Sequence, residues 1–207
     1  ESDQLENMTD VIVRQTDELR RIVDEFSQFA RMPEPDRRPT DLGELLKGAI
    51  LLQESGQPNV SFTLNLPNGK LWIDADSSMI GRAITNLLKN SGESIEEALK
   101  KSPKRKGEIR VVASQTDRLV VLTVVDNGIG LPEDRSRLLE PYVTNRQSGT
   151  GLGLSIVVKT IEEHGGTFSL SDAEPFGDGA MPGAQAVIKL PKLKQTTAQS
   201  VALGKTI

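Results

Sequence analysis

Two asparagines, Asn86 and Asn90, lie four residues apart in a segment whose apolar residues follow a helical pattern. Residues at this spacing share one face of a helix, so both amides would point the same way. Asparagine is a poor residue for a helix interior, because its side chain competes for backbone hydrogen bonds. An amide oxygen is a hard, neutral ligand for Mg²⁺, which keeps water and phosphate oxygens as its other ligands. The pair alone leaves a functional role and a plain surface role equally open.

A carboxylate and two glycines, Asp126, Gly128 and Gly130, directly follow an apolar strand predicted at residues 119–125. A carboxylate at a strand end can accept a hydrogen bond from an exocyclic amine such as that of adenine. Glycine allows the backbone to turn sharply and to approach a ligand. The same residue types are ordinary turn formers, and on their own they favour a plain turn.

Three alternating glycines open the helix predicted from about residue 152 to 164, and the segment is Gly149, Thr150, Gly151, Leu152 and Gly153. Glycine inside a helix costs up to about 1 kcal/mol, so three of them at a helix start need a reason. Bare N–H groups and the positive end of the helix dipole form an anion site there. The preceding segment is polar and no Gly-Lys-Ser/Thr follows, so the match to a dinucleotide fingerprint is poor and a P-loop is excluded.

In this order and spacing the three segments resemble the N, G1 and G2 boxes of the GHKL ATP-binding family, which includes gyrase-type topoisomerases, Hsp90, MutL and the histidine kinases. The resemblance covers about residues 42–191 and implies the Bergerat fold, a mixed sheet under a helical layer that holds ATP. It implies that Asn90 is the Mg²⁺ ligand and that Asp126 recognises adenine. It also implies that Gly128 and Gly130 shape the base pocket, and that the 149–153 segment faces the phosphates.

Residues 131–148 resemble the ATP lid of this family, with Glu140-Pro141-Tyr142 where the kinases have their F box. Arg146 in the lid and Lys89 beside Asn90 could neutralise phosphate charge. A solvated surface role for each of the two cations is equally compatible with the sequence.

The first N-box position separates the branches of the family. Relatives that hydrolyse ATP with water use a glutamate there as general base, but this chain has Asn86, whose amide cannot take a proton at neutral pH. The position therefore favours a kinase over a gyrase- or Hsp90-like ATPase. Glu93 stands where the kinases often carry a basic residue. Its carboxylate could reach the metal shell or face solvent, and we favour the solvent-facing interpretation.

Residues 1–31 contain no glycine or proline and carry a heptad pattern that predicts one long helix. Its two rows are Leu5, Ile12, Leu19 and Phe26, and Met8, Gln15, Ile22 and Phe29. So narrow an apolar seam favours partner helices, although packing on its own domain is an alternative. Residues 11–33 look like the second helix of a histidine kinase dimerisation domain, most similar to the nitrogen-regulation, NtrY-type kinases. The seam then belongs to a four-helix bundle made by a homodimer.

The acceptor histidine of such kinases lies on the first bundle helix, which would precede this one. The only histidine of the chain, His164, ends the glycine-rich helix and precedes Gly165-Gly166. Glycine is the preferred stop of a helix and a cation is favoured at its C-terminus, so a structural role is predicted for His164.

Composition excludes several function classes. The chain has no cysteine and one histidine, which excludes disulfides, thiolate metal sites and poly-His zinc sites. The net charge of −4 argues against a nucleic-acid partner. No apolar run approaches the roughly 20 residues that span a bilayer, so no membrane contact is expected of this chain. The helical pattern is already under way at Glu1, which predicts a piece of a longer protein. The resemblance to sensor kinases implies a cytoplasmic location for this piece and a membrane anchor elsewhere in the parent protein.

The predicted fold class is α/β (α+β), a two-layer sandwich with a mixed five-stranded sheet and three main helices, preceded by one long helix. The predicted parts are the long helix at 1–32, a linker at 33–41, the catalytic domain at 42–191 and a disordered tail at 192–207. Strands are predicted at 60–66, 70–74, 108–115, 119–125, 167–171 and 184–190. Hairpins are expected across Pro67-Asn68-Gly69 and Thr116-Asp117.

The leading hypothesis is the ATP-binding catalytic region of a two-component sensor histidine kinase. ATP and Mg²⁺ are its cofactors, and the γ-phosphate passes to a histidine outside this chain and then to an aspartate of a response regulator. The alternatives are a degenerate nucleotide-binding module, a GHKL ATPase and an anti-sigma-type serine kinase. Intact Asn90, Asp126 and phosphate-loop glycines count against the first, and the long heptad helix counts against the last.

Overall fold

The computed structural model describes residues 2–30, 33–143, 150–176 and 183–193. Within these ranges the helices are α1 (Ser2–Ala30), α2 (Leu42–Gly56), α3 (Ser77–Lys101) and α4 (Gly153–Glu163). The strands are β1 (Arg38–Asp41), β2 (Val60–Asn65), β3 (Trp72–Ala75), β4 (Gly107–Gln115), β5 (Leu119–Asp126), β6 (Thr167–Asp172) and β7 (Ala184–Pro191). The predicted combination of one long helix, three further helices and a mixed sheet is confirmed.

Five strands form the main sheet in the order β2-β4-β5-β7-β6. β2 runs parallel to β4, and the other neighbouring pairs are antiparallel. Along β4 and β5 buried residues alternate with more exposed ones, which is the pattern of a sheet with one covered face. Helices α2, α3 and α4 cover that face, and the apolar core lies between the two layers.

The prediction of a hairpin across residues 67–69 is wrong. β2 pairs along its whole length with β4, while β3 pairs with β1 in a separate two-stranded sheet. The chain after the turn is fixed to the start of α2, because the Leu71 N–H donates to Asp41 Oδ1 at 3.2 Å and the Leu42 N–H donates to the Leu71 carbonyl at 3.0 Å. The local turn signal therefore predicted where the chain turns, but it did not predict which strands pair with β2 and β3.

The segment predicted as a linker, residues 33–41, contributes strand β1 to the domain. Just before this strand, the Asp36 N–H donates to Asp76 Oδ2 at 3.2 Å, and the Arg37 guanidinium donates to the Glu163 carbonyl. One backbone N–H and one guanidinium thus find partners at the N-cap of α3 and at the end of α4, so contacts with the domain begin before residue 42. Of the predicted tail, Lys192 forms an antiparallel bridge with Ile73, and residues 194–207 lie outside the described ranges.

Helix α1 carries its apolar seam on an exposed surface. Met8, Ile12 and Leu19 leave between 61% and 64% of their surface accessible. Phe26 is 48% exposed, and its ring centroid lies 6.4 Å from that of Tyr142. The seam is therefore not covered by the domain, although the side chains of Leu5 and Phe29 lie outside the described part of the chain. None of the helices in the described ranges is long and apolar enough to cross a membrane.

Candidate nucleotide-binding site

Helix α3 carries the N-box asparagines at the margin of the core. The helix begins where the Asp76 side chain caps it, since Oδ1 accepts hydrogen bonds from the N–H groups of Ser78 and Met79 at 3.0 and 3.1 Å. One face is buried, and its large apolar members are Ile80, Ile84, Leu87, Leu88 and Ile95. Asn86 and Asn90 are half-buried beside this face. Their amides therefore stand where a bound ligand can reach them.

The cap residue Asp76 is tied to the end of α4 by His164, which is 3% exposed. His164 Nε2 accepts from the Asp76 backbone N–H at 3.0 Å, and Nδ1 lies 2.7 Å from the Thr160 carbonyl oxygen. One accepting and one donating ring nitrogen is the pattern of a neutral imidazole, so His164 has a structural role as a hydrogen-bond bridge rather than as a cation. Burial opposes ionisation of Asp76, but backbone N–H donors led by that of Met79 outweigh it and lower the pKa of its carboxyl.

The N box meets the glycine-rich segment at Gly153, the first residue of α4. A Cβ built on Gly153 would lie 3.6 Å from Asn90 Nδ2 and 3.9 Å from Asn90 Oδ1. Within the described residues no side chain caps α4, whose N-cap Leu152 is buried. The uncapped N-terminus of α4 therefore lies beside the Asn90 amide. This arrangement would suit an anion at the helix N-terminus and its counter-cation at the amide.

Asp126 ends β5 and is 4% exposed. Its Oδ1 accepts from the N–H of Gly128 at 3.0 Å and from the N–H of Ala184 at 3.4 Å. These two donors are among the partners of the carboxylate, a group with about four acceptor sites. Gly183 approaches so closely that any Cβ there would overlap the Asp126 carbonyl oxygen. Sequence reasoning missed Gly183, because nothing local connects it to a strand end far away along the chain.

Gly128 lies directly against α3 at Ser94. A Cβ on Gly128 would overlap Ser94 Oγ and would lie 2.7 Å from the Ser94 carbonyl carbon. The Ile129 N–H donates to Ser94 Oγ at 3.1 Å and to the Ser94 carbonyl at 3.3 Å. Ser94 thereby fixes the loop of residues 127–130, here named the base loop, to the N-box helix α3. The sequence analysis did not single out Ser94, although its position four residues after Asn90 continues the same helix face.

Asn127 holds the base loop to the start of β4. Its Oδ1 accepts from the Glu108 N–H at 2.9 Å, and its Nδ2 donates to the Lys106 carbonyl at 2.9 Å. The Asn127 N–H also donates to the Glu108 carbonyl at 3.3 Å. This role was not predicted, because an asparagine between aspartate and glycine is ordinary turn chemistry.

The described part of the predicted lid, residues 131–143, is held at two contacts. Arg135 pairs with Asp172 of β6 at 2.7 Å. At the F box, the Tyr142 N–H donates to the Gly151 carbonyl at 3.1 Å. Gly151 has a φ of +70° and Gly130 a φ of +79°, conformations that favour glycine. The candidate residues Arg146 and Gly149, and lid residues 144–148, lie outside the described ranges.

The remaining charged candidate, Lys89, lies on an exposed part of α3. Its Nζ is 3.9 Å from Glu93 Oε1, and the two side chains are 49% and 39% exposed. The exposure of Glu93 agrees with its interpretation as a solvent-facing residue. A role of Lys89 in phosphate contact stays a prediction.

These residues fit an adenine nucleotide. A buried carboxylate lies at a strand end, and an uncapped helix N-terminus adjoins Asn90. Just before that helix, the hydroxyl oxygen of the half-buried Thr150 accepts from the Leu152 N–H at 3.3 Å. The described residues hold no group of three acidic or histidine side chains that could bind a metal. A metal at Asn90 would therefore need oxygen ligands from the nucleotide itself.

Comparison with known proteins agrees with this geometry. A family model described as histidine kinase-, DNA gyrase B- and HSP90-like ATPase matches residues 75–194. The nitrogen regulation protein NtrY of Azorhizobium caulinodans is 44% identical over 195 residues, which are 94% of this chain and 25% of that protein. Sporulation kinase B of Bacillus subtilis is 28% identical over 183 residues, 87% of this chain and 40% of that one. The chain thus spans about a quarter of the length of NtrY.

Solved structures give the same result. The mycobacterial sensor histidine kinase MprB superposes with a TM-score of 0.64 and 25% identity, over 75% of this chain and 98% of that one. The catalytic domain of histidine kinase ThkA gives a TM-score of 0.63 and 27% identity, over 76% of this chain and 96% of that one. The resemblance stated from the three sequence boxes is confirmed. The chain belongs to the family of histidine kinase-, DNA gyrase B- and HSP90-like ATPases, as an ATP-binding domain of the sensor histidine kinase type.

Proposed function

We propose that this chain binds ATP with Mg²⁺ and presents the γ-phosphate to a histidine elsewhere in the full-length protein. The observation that carries the proposal is the contact of Asn90 with Gly153, which sets a metal-ligating amide beside the N-terminus of α4. In the transfer, the bond from the γ-phosphorus to the bridging oxygen breaks, a bond to an imidazole nitrogen forms, and ADP leaves.

Asp126 recognises the adenine in this proposal. The carboxylate is held at the end of β5 by N–H donors from Gly128 and Ala184, so its position does not depend on the ligand. A carboxylate accepts from the exocyclic amine of adenine and from no equivalent group of guanine, which carries a carbonyl there. Gly128 lets the chain after β5 pack directly against Ser94 of α3, and Gly130 adopts a positive φ, and in this way the two glycines shape the base pocket.

The phosphates lie at the start of α4. The segment Gly149, Thr150, Gly151, Leu152 and Gly153 supplies N–H groups, and the helix dipole favours negative charge there. Bound Mg²⁺ neutralises phosphate charge, with Asn90 as its protein ligand. Lys89 and Arg146 are the cations that we assign to the phosphate periphery. Positioning and charge stabilisation are the main contributions that a protein makes to phosphoryl transfer.

Transfer to a protein acceptor rather than to water follows from the N box. Asn86 cannot act as a general base, and we assign the half-buried Glu93, the carboxylate three residues beyond Asn90, to solvent because its side chain is 39% exposed. His164 is buried with both ring nitrogens engaged, so the acceptor lies outside the described residues. Histidine is the acceptor class that the names of other relatives indicate, among them the sensory histidine kinase/phosphatase NtrB of Rhodobacter capsulatus.

The proposed partners are a second copy of the chain and a response regulator. The exposed seam of α1 supports a homodimeric helical bundle, since such a surface gains stability only when covered. ThkA has been solved in complex with the response regulator TrrA, which supports the same class of partner here. A cytoplasmic location of this chain, with an anchor elsewhere in the parent protein, belongs to the same proposal.

Two measurements test the proposal. Calorimetry of the 207-residue chain with ADP should give binding that strengthens when Mg²⁺ is added, and no heat at millimolar nucleotide would contradict it. Incubation with ATP labelled at the γ-phosphate should leave this chain unlabelled and should give acid-labile label on the full-length protein. Acid-labile label on the chain alone would place the acceptor within it and would refute the assignment of the acceptor.

A further inference from the structure

The chain contains two Asn-Gly pairs, and the structure places them in opposite environments. They are Asn68-Gly69, in the turn between β2 and β3, and Asn127-Gly128, in the base loop. Asparagine deamidates without an enzyme most readily when glycine follows it, because glycine has no Cβ to hinder the attack of its own nitrogen on the side-chain amide. Both pairs share this chemistry, so the fold decides which of them reacts.

The reaction consumes one water and needs local freedom of the backbone. The glycine nitrogen loses its proton to hydroxide and forms a bond to Cγ of the asparagine, whose amide nitrogen leaves as ammonia. Water then opens the resulting succinimide ring at either carbonyl, which gives aspartate or isoaspartate. The side-chain NH₂ is thereby replaced by an oxygen that carries a negative charge at neutral pH. Ring closure requires that neither the amide nor the glycine N–H is held by other partners.

Asn68 and Gly69 meet these requirements. Both residues are exposed, and a Cβ built on Gly69 would meet nothing within 4 Å. Within the part of the chain that the structure describes, no hydrogen bond engages the Asn68 amide or the Gly69 N–H. β2 ends at Asn65 and β3 begins at Trp72, so a rotation within the turn breaks no strand pairing.

Asn127 and Gly128 meet none of them. Asn127 Oδ1 accepts from the Glu108 N–H at 2.9 Å, and Nδ2 donates to the Lys106 carbonyl at 2.9 Å. Gly128 is buried, and its N–H donates to Asp126 Oδ1 at 3.0 Å. The attacking nitrogen and the amide that it would attack are therefore held by different partners.

From this contrast we propose that Asn68 is a site of spontaneous deamidation in the folded chain, and that the folded base loop protects Asn127 from the same reaction. The chemical class of the reaction is hydrolysis of a side-chain amide, with water as the co-reactant and ammonia as the leaving group. The products are a chain with aspartate at position 68 and a chain with isoaspartate there. This assignment does not depend on the proposed function.

The two positions differ in their distance from the nucleotide site. β2 ends at Asn65, which pairs with Val112, and the base loop is held at Glu108. At about 3.3 Å per residue, these two positions on β4 lie roughly 13 Å apart. A carboxylate at position 68 therefore leaves the site intact, whereas one at position 127 would face the Lys106 carbonyl oxygen. This consequence for binding rests on the proposed function.

The test follows both pairs in one sample of the 207-residue chain. After incubation in mildly alkaline buffer, the chain is digested under mildly acidic conditions, and mass spectrometry measures the replacement of NH₂ by OH in each peptide. In the folded chain Asn68 should deamidate at least tenfold faster than Asn127. In guanidinium chloride, where the contacts of the base loop are lost, the two rates should lie within about threefold of each other.

Two variants complete the test. Asn68→Gln should remove the mass gain from its peptide, because a glutamine would have to close a larger ring. Asn68→Asp reproduces one product and should bind ADP within about twofold of the unaltered chain. If neither of these chains nor the unaltered chain binds ADP, the proposed function fails, while the two deamidation rates still test the present proposal.

Three results would overturn the proposal. Equal rates at the two pairs in the folded chain would show that the base loop gives no protection. Deamidation of Asn68 in guanidinium chloride but not in the folded chain would show that the turn holds its amide as firmly as the base loop does. A rate at Asn127 that stays at least tenfold slower in the unfolded chain would assign the difference to neighbouring residues and not to the fold.

Discussion

The backbone of Tyr142 closes over Gly151, so that a Cβ on Gly151 would stand 2.6 Å from the Tyr142 carbonyl carbon. Gly151→Ala should therefore displace the F box from the phosphate segment. Overpacking and a left-handed alanine each cost about 1–3 kcal/mol, so both the unfolding free energy and the affinity for ADP should fall. Urea unfolding and calorimetry with ADP measure the two effects.

Gly153→Ala is the matched control for that substitution. Its methyl group would meet only Asn90, at an ordinary contact distance of 3.6 Å, and alanine is the better helix residue by up to about 1 kcal/mol. The unfolding free energy should be unchanged or higher, while affinity for Mg²⁺ and ADP falls because the methyl group occupies the space beside the amide. A variant that binds as tightly as the unaltered chain would mean that the phosphates lie elsewhere.

Asp126→Asn should weaken adenine nucleotides at least tenfold and inorganic triphosphate by less than about twofold. An asparagine oxygen can still accept from Gly128 and Ala184, so the loop keeps its anchor, but the acceptor for the exocyclic amine is lost. Competition calorimetry with ADP and triphosphate separates the two ligands. Equal losses for both would show that Asp126 only shapes the loop.

Asn127→Ala should lower ADP affinity without removing any group that meets the ligand. The change deletes the hydrogen bonds to Glu108 and Lys106, each worth about 1 kcal/mol, and frees the base loop from β4. Asn127→Asp keeps the acceptor for the Glu108 N–H but sets a carboxylate oxygen against the Lys106 carbonyl oxygen, so its effect should be at least as large. Faster amide exchange of residues 126–130 in both variants, with unchanged exchange in α2, would support this expectation. Equal exchange in all three chains would count against it.

Acid should remove a contribution of Asp76 to stability. The lowered pKa means that the folded chain binds this proton less tightly than the unfolded chain. The contribution is therefore complete above the ordinary value of 3.8 and is lost as the pH falls through the lowered folded value. Asp76→Asn keeps a capping oxygen but does not titrate, so its unfolding free energy should fall less steeply in this acid range. Asp76→Ala should cost about 1 kcal/mol at neutral pH, and identical acid slopes for all three chains would contradict the assignment.

The α1 seam should hold two copies of the chain together in a concentration-dependent dimer. Leu19→Asp with Phe26→Asp places charge on two exposed seam positions and should abolish association in sedimentation experiments. Val13→Asp with Ser27→Asp adds the same charge away from the seam and should leave the dimer intact. A strict monomer of the unaltered chain at high concentration would show that the α1 seam alone does not hold a dimer together.

The parts of the fold that local patterns determine were predictable from the sequence. Asp41 and Asp76 cap helices at the positions that their types suggest, and alternating apolar residues located β4 and β5 within one residue. The pairing of β2 with β4 was not predictable, because a parallel pair joins segments far apart in the chain and leaves no local signal. The Asn-Gly turn at residues 68–69 suggested a hairpin that long-range pairing replaced.

The candidate site divides in the same way. The glycines and Asp126 could be found because a rare combination of residue types stands at fixed spacing. Ser94, Asn127 and Gly183 could not, since each acts through a backbone group brought near by the fold. A serine or an asparagine whose side chain holds a loop is of the same residue type as many surface residues. Neither its type nor its spacing therefore distinguishes it in the sequence.

Hydrogen bonds hold Asp36 at the start of α3 and Arg37 at the end of α4. They limit how far the proposed nucleotide site can move relative to α1. The chain between Ala30 and Asp36 spans at most roughly 20 Å even when fully extended. The start of the domain at Asp36 therefore stays within that distance of the end of α1. In the proposed transfer, the histidine that receives the phosphate must accordingly lie within the reach that this short connection allows the domain.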